Sequence, residues 1–318
     1  MRKFSVTEAG FSGYRLLASK PGLIVAWLLF SLLVAVVSIA ALVWMAGPQM
    51  TTLRQIQEAG PGSADPATMM ELSRQIMGYN LFSMVFTWFV GAISFAAVAR
   101  AMLGRGNAAV GYLGFGGDEL RLLVTTLVTG LLLTVLTVVT VVVAVIALAV
   151  GAGAGALRGG LANAGTAALP AFAIALVGLA AVVFLAIKLS LAPAQTVADK
   201  GIRIFSSWNL TKGNFWPILG AYVLALLPVV VGWAISIAVL AAVNPHPAAG
   251  SGLQAFLRSL QPDVSSMGAA FQPAYLVSYL VGAAVRTLSM AGLVAPGVFI
   301  LGELANNPAD AFDDDEED

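Results

Sequence analysis

Few side chains in this sequence could take part in catalysis. His246 is the single histidine, it lies between two prolines in Asn244-Pro-His-Pro247, and no carboxylate is close to it in the sequence. A serine-type triad would depend on this residue alone, so we expect an ordinary extended turn there. The chain contains no cysteine, which excludes disulfides, thiolate metal ligands and cysteine nucleophiles. No Walker-type phosphate loop is present either, so the residues indicate a protein with no catalytic residues and no cofactor.

Arg286 is the strongest candidate for a functional residue, because it is a charged side chain in an otherwise apolar run. It is twelve residues from Ala274 and fifteen from Leu301, near the middle of that run. A charge at the centre of a bilayer costs at least about 2.5 kcal/mol, so this side chain should face the protein interior or water. Two interpretations stay open. Arg286 either binds an anion or a lipid phosphate, or it is satisfied by helix carbonyls, by hydroxyls of neighbouring helices or by tilting toward an interface.

The elements that must position Arg286 are apolar helices. Only 10% of the 318 residues are charged and 59% are hydrophobic, whereas about a quarter of a soluble globular chain is charged. Six runs are long enough to cross a bilayer core about 30 Å thick as helices. They predict spans at about 23–46, 81–103, 122–150, 169–192, 217–243 and 274–301. The sequence therefore predicts an all-α polytopic integral membrane bundle, with a six-span membrane domain over 23–303. No acidic residue lies inside a span, which argues against a proton relay or a carboxylate-based cation pathway.

The distribution of Lys and Arg predicts the orientation. The count is made outside the uncharged stretches, which end at Ala99 in the second span and at Ile187 in the fourth. Four precede the first span, three lie between the second and third, and four lie between the fourth and fifth, whereas the alternate loops hold two, one and one. By the positive-inside rule, we expect both termini to lie in the cytoplasm. The carboxylate-rich C-terminus does not alter this, because the rule counts Lys and Arg. We expect residues 304–318 to form an acidic disordered tail.

Metal ions and nucleic acids are not expected as ligands. A zinc site needs several His, Cys or carboxylate ligands. Outside the tail, the predicted outer side offers only four carboxylates, at Glu58, Asp65, Glu71 and Asp263. The basic loops contain no nucleic-acid-binding module, so membrane phosphates explain their charge better.

Each pair of spans is preceded by a cytoplasmic segment that we expect to lie at the interface. In residues 1–22, Ser5-Val-Thr-Glu8 has the form of a capping box, and Phe11, Tyr14 and Leu17 follow on one face of an amphipathic entry helix. In the second segment, Tyr112 and Phe115 precede three charged residues, Asp118, Glu119 and Arg121. In the third, apolar residues at helical spacing predict one helix over 194–208, lying flat against the membrane. Aromatic and basic side chains at this depth suit the headgroup layer, so anionic lipids are the expected partners.

The candidate contacts follow from these segments. Six cations could contact lipid headgroups or an anion: Arg286, Lys188, Arg100, Lys200, Arg203 and Lys212. Three aromatic residues are expected to anchor the interface: Trp208, Phe215 and Trp216. Lys188 and Arg100 stand at span ends, where snorkelling of the charge to water is the ordinary alternative. The entry-loop residues Asp118, Glu119 and Arg121 are expected to cap the third span and pair with basic neighbours.

The outer side is expected to be simpler. Residues 151–168 are small and predict a plain linker. Apolar residues at helical spacing over 251–260, and again after Asp65-Pro66, predict two short helices that cap the bundle or lie on the membrane. These helices either shield the ends of the spans or act as a gate.

Two stretches resemble a known group of bacterial membrane proteins. One is Lys188-Leu-Ser-Leu-Ala-Pro193 with Ser207-Trp-Asn-Leu-Thr-Lys-Gly-Asn-Phe-Trp-Pro217, and the other is the Gly-Gly-Asp-Glu-Leu-Arg-Leu-Leu segment over 116–123. They resemble the glycerophosphoryl diester phosphodiesterase membrane domain and the YciC-like uncharacterised proteins. The resemblance implies a six-span inner-membrane bundle. It implies no enzyme, because the catalytic barrel that names the group is absent from this sequence.

Two functions are compatible with these residues. The first is a non-catalytic, lipid-associated or scaffold component of the membrane. The second is a small transporter or channel for an anionic or lipid-like substrate, with a site near Arg286. A scaffold should have a closed apolar core, and a transporter should have a water-accessible cavity at Arg286 with paired broken helices. Protein partners and oligomeric state stay open, with a homo-oligomer as one alternative.

Overall fold

The fold is entirely helical in the residues that can be described. The computed structural model describes residues 4–59, 65–114, 116–157, 164–243 and 263–305. Within these ranges it is 87% helical and has no strand. The α-helices are α1 (Val6–Gly10), α2 (Ser12–Ser19), α3 (Pro21–Ala59), α4 (Pro66–Leu103), α5 (Gly117–Leu157), α6 (Ala164–Leu189), α7 (Ala192–Asp199), α8 (Ser206–Leu210), α9 (Phe215–Val243), α10 (Met267–Ala270) and α11 (Pro273–Ala305). The predicted all-α architecture is confirmed.

Six of these helices, namely α3, α4, α5, α6, α9 and α11, are long and apolar enough to cross a membrane. Five of them contain a predicted span, whereas α6 ends at Leu189, three residues before the predicted end of the fourth span. The chain is a multi-pass membrane protein. The helices extend beyond the apolar runs because backbone hydrogen bonding in a helix does not require apolar side chains. Without a strong breaker, backbone hydrogen bonds continue into the flanking polar residues.

Two expectations for the outer loops are wrong for this reason. The helix predicted after Asp65-Pro66 is not separate, because α4 runs from Pro66 to Leu103 with no internal proline. Residues 151–157 and 164–168 are not a linker, since they continue α5 and begin α6. The predicted outer helix over 251–260, the turn at His246 and the tail beyond Ala305 lie outside the described residues.

The chain divides into two compact units by its internal contacts. The first unit comprises Thr7–Phe115 and Ala221–Pro296. The second comprises Met1–Val6, Gly116–Gly220 and Gly297–Asp318. The predicted membrane domain over 23–303 therefore contains parts of both units, and each unit is described separately below.

In the first unit, the entry segment packs into the bundle. It forms two helices instead of one, because Phe11 leaves the helical conformation with φ −99° and ψ 7°. The Tyr14 hydroxyl donates a hydrogen bond of 2.6 Å to the carbonyl of Ala225 in α9. Burial raises the pKa of Tyr14, so the hydroxyl keeps its proton and remains a donor. Leu17 joins the buried core around Trp27. Tyr14 and Leu17 thus face protein rather than headgroups.

Glycines allow this close approach. A Cβ at Gly13 would overlap the carbonyl oxygen of Ala291 and lie 3.1 Å from the Cβ of Ala295 in α11. A Cβ at Gly292 would overlap the ring and hydroxyl of Tyr14. The two helices therefore meet backbone to backbone, as helices in membranes commonly do at small residues.

The loop after α4 is also anchored in the first unit. The Trp27 indole donates a hydrogen bond of 2.8 Å to the carbonyl of Gly111. Gly111 has φ +66°, and a Cβ there would lie 2.6 Å from the Cβ of Ala26, so glycine is required. Tyr112 is buried in the same core, with the Lys20 ammonium 5.5 Å from its ring centroid. The expectation that Tyr112 lies in the headgroup layer is therefore wrong.

In the second unit, α5 and α6 form the main helix pair, and Gly178 lies directly against the side chain of Thr140. The single helix expected over 194–208 is wrong, because it is broken into α7 and α8. Lys200 adopts a left-handed conformation with φ 52°, which ends α7. The Thr125 and Thr196 hydroxyls hydrogen-bond at 3.0 Å, so α7 is attached to α5.

We expect Gly13→Ala to destabilise the protein by about 1–3 kcal/mol, because the added methyl overlaps backbone that cannot move aside cheaply. The matched control is Gly22→Ala, where a Cβ would have nothing within 4 Å. Thermal unfolding in detergent, followed by loss of the monodisperse peak in size-exclusion chromatography, measures the difference. Equal melting temperatures for the two variants would show that α2 does not pack against α11.

Candidate functional site

A cavity of about 270 Å³ lies among α3, α9 and α11 of the first unit. Each helix contributes one face. Its lining residues are Ser31, Ala35, Trp233, Ser236, Leu240, Ser278, Tyr279, Gly282, Ala283 and Arg286. On α11 they are spaced four residues apart in two rows, and on α3 and α9 they repeat at three to four residues, which is the period of one helix face. Most of the surface is apolar, with hydroxyls and one guanidinium as its polar groups.

Hydrogen bonds fix the helices around the cavity. The Ser31 and Thr287 hydroxyls lie 3.1 Å apart, which joins α3 to α11. Thr287 also donates to the carbonyl of Ala283 at 2.9 Å, so Ser31 is the donor in the pair. On the other side, a Cβ at Gly232 of α9 would lie 3.2 Å from Val285 of α11. The walls are therefore defined by direct contacts.

Most hydroxyl protons around the cavity are already used. Ser278 donates to the carbonyl of Tyr275 at 2.7 Å, and Tyr279 donates to the carbonyl of Ala270 at 2.7 Å. Ser236 makes no hydrogen bond with its side chain in the part of the chain that the structure describes. The Ser236 hydroxyl, the indole N–H of Trp233 and the Arg286 guanidinium are thus the donors of the lining residues that have no partner among the described residues.

Arg286 has no protein counter-charge. Among the described residues it makes neither a hydrogen bond nor an ion pair, and none of the lining residues is acidic. The interpretation that carbonyls or hydroxyls of the described helices satisfy it is therefore wrong. A guanidinium has five N–H donors and keeps its charge in proteins. Water or an anion in the cavity must supply the acceptors, because hydrocarbon supplies none.

These properties define what the cavity can hold. Its volume is below the range of about 300–1,000 Å³ for pockets that enclose drug-sized ligands. It can hold one anionic group with a short apolar part, and the rest of a larger amphiphile would lie outside it. The lining residues include no histidine or carboxylate to move a proton. The geometry thus favours binding of an anion.

The predicted cation contacts do not form one cluster. Arg100 belongs to the first unit, where it donates to the carbonyl of Tyr112 at 3.5 Å. The second unit contains three exposed cations, Lys200, Arg203 and Lys212. Of these, Arg203 lies 3.8 Å from Asp199. Arg286 is therefore without a predicted basic neighbour in its cavity.

Lys188 is also in the second unit, and it is only 7% exposed. Its ammonium lies over the rings of Phe184 and Trp208. The predicted anchors Trp208 and Phe215 both contact Phe184, and Trp216 contacts Phe215, so the anchors form one aromatic group. Snorkelling to water does not describe Lys188, because a snorkelling lysine leaves its charge exposed.

The entry-loop residues surround the start of α5. Arg121 donates to Asp118 at 3.1 Å, three residues earlier. Glu119 is buried and accepts a hydrogen bond of 2.8 Å from the backbone N–H of Gly116. This arrangement provides acceptors for the unpaired N–H groups at the helix start and places negative charge at the positive end of the helix dipole.

Sequence reasoning missed Ser236, Tyr279 and Trp233 as cavity residues. The signal was present on α11, where Ser278 and Gly282 are eight and four residues before Arg286 and share its face. No comparable signal identifies α9 as the neighbour of this face. That pairing is a property of the tertiary structure.

We expect a cysteine at Ser236 to react with water-soluble thiol reagents, because an uncompensated guanidinium should keep the cavity hydrated. The chain has no native cysteine, so the single variant reports this position alone. An anionic methanethiosulfonate should react roughly tenfold faster than its cationic analogue, since it is attracted to Arg286. Labelling rates in proteoliposomes, measured by mass spectrometry, provide the test.

The control is Val229→Cys, at a buried position of the same helix, which should stay unlabelled. Adding Arg286→Met should abolish the preference for the anionic reagent. Equal rates for both reagents with Arg286 present would show that its charge does not reach the cavity.

The comparisons with known proteins gave no match. No protein-family model matches the sequence, and neither a curated protein nor a solved structure is significantly similar to it. The resemblance to the YciC-like group therefore stays a prediction based on two stretches of sequence.

Proposed function

We propose that this chain is a non-catalytic, lipid-associated protein of the bacterial inner membrane that binds the anionic group of an amphiphile at Arg286. One observation carries the proposal: a guanidinium without a protein partner opens into a cavity within the spanning helices. A half-buried charge without a partner in an apolar span is destabilising, so a ligand that supplies the missing charge is its best explanation.

An amphiphile fits the cavity better than a bare ion. Besides Arg286, the lining residues offer only the Ser236 hydroxyl and the Trp233 indole as available donors, and a small anion such as phosphate would lose most of its hydration for few hydrogen bonds. A carboxylate or phosphate attached to an apolar chain can place its charge at Arg286 and its carbon atoms against Leu240 and Ala35. Trp233 lines the cavity and is half exposed on α9, so a ligand in contact with it would also be near lipid.

A small transporter for such an amphiphile is the second candidate, because a transporter should also have a cavity at Arg286. Transporters of this kind commonly form their site from paired broken helices. Here α9 and α11 continue through Pro228 and Pro296 without interruption. The continuous helices support a fixed binding site over a transport path.

We expect both termini in the cytoplasm, because the Lys and Arg residues are concentrated in the loops on that side. Reporter fusions at residues 60, 160 and 250 should be active outside, and fusions at either terminus should be active inside. A C-terminus on the outer side would contradict the proposed orientation and the pairing of the spans.

We expect Arg286→Met to insert and fold normally, with an unchanged or higher melting temperature in detergent. Methionine is a long, uncharged side chain, so the change removes a half-buried charge and keeps most of the length. The same variant should lose an anionic amphiphile that copurifies with the wild type. Native mass spectrometry after mild detergent extraction measures the bound species. Arg286→Lys keeps the charge without the planar fork, so it should retain an intermediate amount.

Arg100→Met is the matched control, since Arg100 is a basic residue of the same unit that hydrogen-bonds a loop carbonyl. It should keep the ligand. If the wild type and Arg286→Met carry the same anionic species in equal amount, the site is not at Arg286 and the proposal is wrong.

A further inference from the structure

A second cation of the chain, Lys188, also lacks an acceptor. It lies in the last turn of α6 and is 7% exposed. Among the described residues, its ammonium makes neither a hydrogen bond nor an ion pair. An ammonium has three N–H donors and no acceptor, so a buried one needs oxygen atoms from elsewhere.

Two aromatic rings hold this ammonium in place. Its nitrogen lies 5.7 Å from the ring centroid of Phe184 and 5.5 Å from that of Trp208. The two rings themselves meet edge to face at 5.9 Å. The Ser207 hydroxyl donates to the carbonyl of Lys188 at 2.7 Å, which attaches α8 to the end of α6. Ring faces attract the charge but offer no lone pair, so the N–H groups stay available.

The depth of Lys188 indicates where the acceptor comes from. The residues from Leu169 to Ile187 contain no charge, and they are nineteen in number, about the length that crosses a bilayer core. Lys188 therefore lies where the hydrocarbon ends and the headgroups begin. Phe184 and Trp208 are 43% and 40% exposed, so both rings also reach the protein surface. A lipid can approach the ammonium beside them.

The surrounding charge favours an anionic lipid. Between Lys188 and Trp216 the chain has four cations and one carboxylate, Asp199. Three of the cations are exposed, at Lys200, Arg203 and Lys212. A zwitterionic headgroup would bring a second positive charge into this region, whereas a lipid with a net negative charge would not.

We propose that Lys188, bracketed by Phe184 and Trp208, binds a phosphodiester oxygen of an anionic phospholipid. The rings contact the glycerol and the first methylene groups, and the ammonium donates to the phosphate. This site belongs to the second unit and is independent of the cavity at Arg286. The proposal differs from snorkelling because the charge is held against the protein rather than extended into water.

The test compares lipid retention by the full chain in nanodiscs of phosphatidylglycerol and phosphatidylcholine. After transfer to mild detergent, native mass spectrometry counts the lipids that remain bound. The wild type should retain phosphatidylglycerol in preference to phosphatidylcholine. Lys188→Met should reduce the retained phosphatidylglycerol at least fivefold, and Lys188→Arg should keep most of it. Arg15→Met, which removes an exposed cation of the first unit that lies 4.0 Å from Glu8, should change retention less than twofold.

Two further arms make the result specific. Arg286→Met should keep this lipid, so the failure of one site is distinguishable from the failure of the other. Inorganic phosphate at millimolar concentration should not displace the lipid, and displacement would mean that the site takes free phosphate instead. If Lys188→Met does not fold, Trp208→Leu tests the same site, because it removes one ring and leaves α6 unchanged. Wild-type retention in either variant, or equal retention of both lipids, would overturn the proposal.

Discussion

Water is absent from the interior of a bilayer, so each backbone N–H and C=O group there must find its partner within the chain. Helices meet this requirement locally, and 87% of the described residues are helical. The same requirement extends to side chains in the spans, where hydroxyls donate to carbonyls of their own helix one turn earlier. Examples are Thr137 to Leu133, Thr140 to Leu136 and Ser289 to Val285. Such hydroxyls are satisfied without a second helix.

Because lipid tails are as apolar as leucine, burial of apolar surface does little to bring the spans together. Close contact at small residues does this instead. Gly13 meets the backbone of Ala291, and Gly178 meets Thr140, each at a distance that excludes a larger residue. Direct hydrogen bonds between elements accompany these contacts, such as that from Tyr14 to the carbonyl of Ala225. Each unit thus depends on where its glycines stand.

Cations in or next to the spans are not satisfied by their own helix, and three of them have different surroundings. Lys20 donates to the carbonyl of Ala101 at 3.1 Å, so it is satisfied within the first unit. Lys188 has aromatic faces but no acceptor, and Arg286 has a cavity but no counter-charge. The last two have no acceptor among the described residues. We propose that a phosphodiester supplies it at the headgroup level, and that the anionic end of an amphiphile supplies it inside the bilayer.

The sequence by itself determined the all-α class and the six spans, because the length of an uncharged run is a local property that the bilayer thickness sets. It also identified Arg286, since one charge in an apolar run is visible without a fold. Only the tertiary structure decided what surrounds that charge. Ser236 of α9 and Ser31 of α3 are distant from Arg286 in sequence, and neither has a pattern that indicates its neighbour. Likewise, Tyr14 and Tyr112 resemble interfacial residues by type, but Gly292 lets Tyr14 pack against α11, and Gly111 lets the loop before Tyr112 pack against α3. The length of a helix depends on residues that are neighbours in the sequence. Contact between two helices depends on complementary surfaces, which are formed by residues far apart in the sequence.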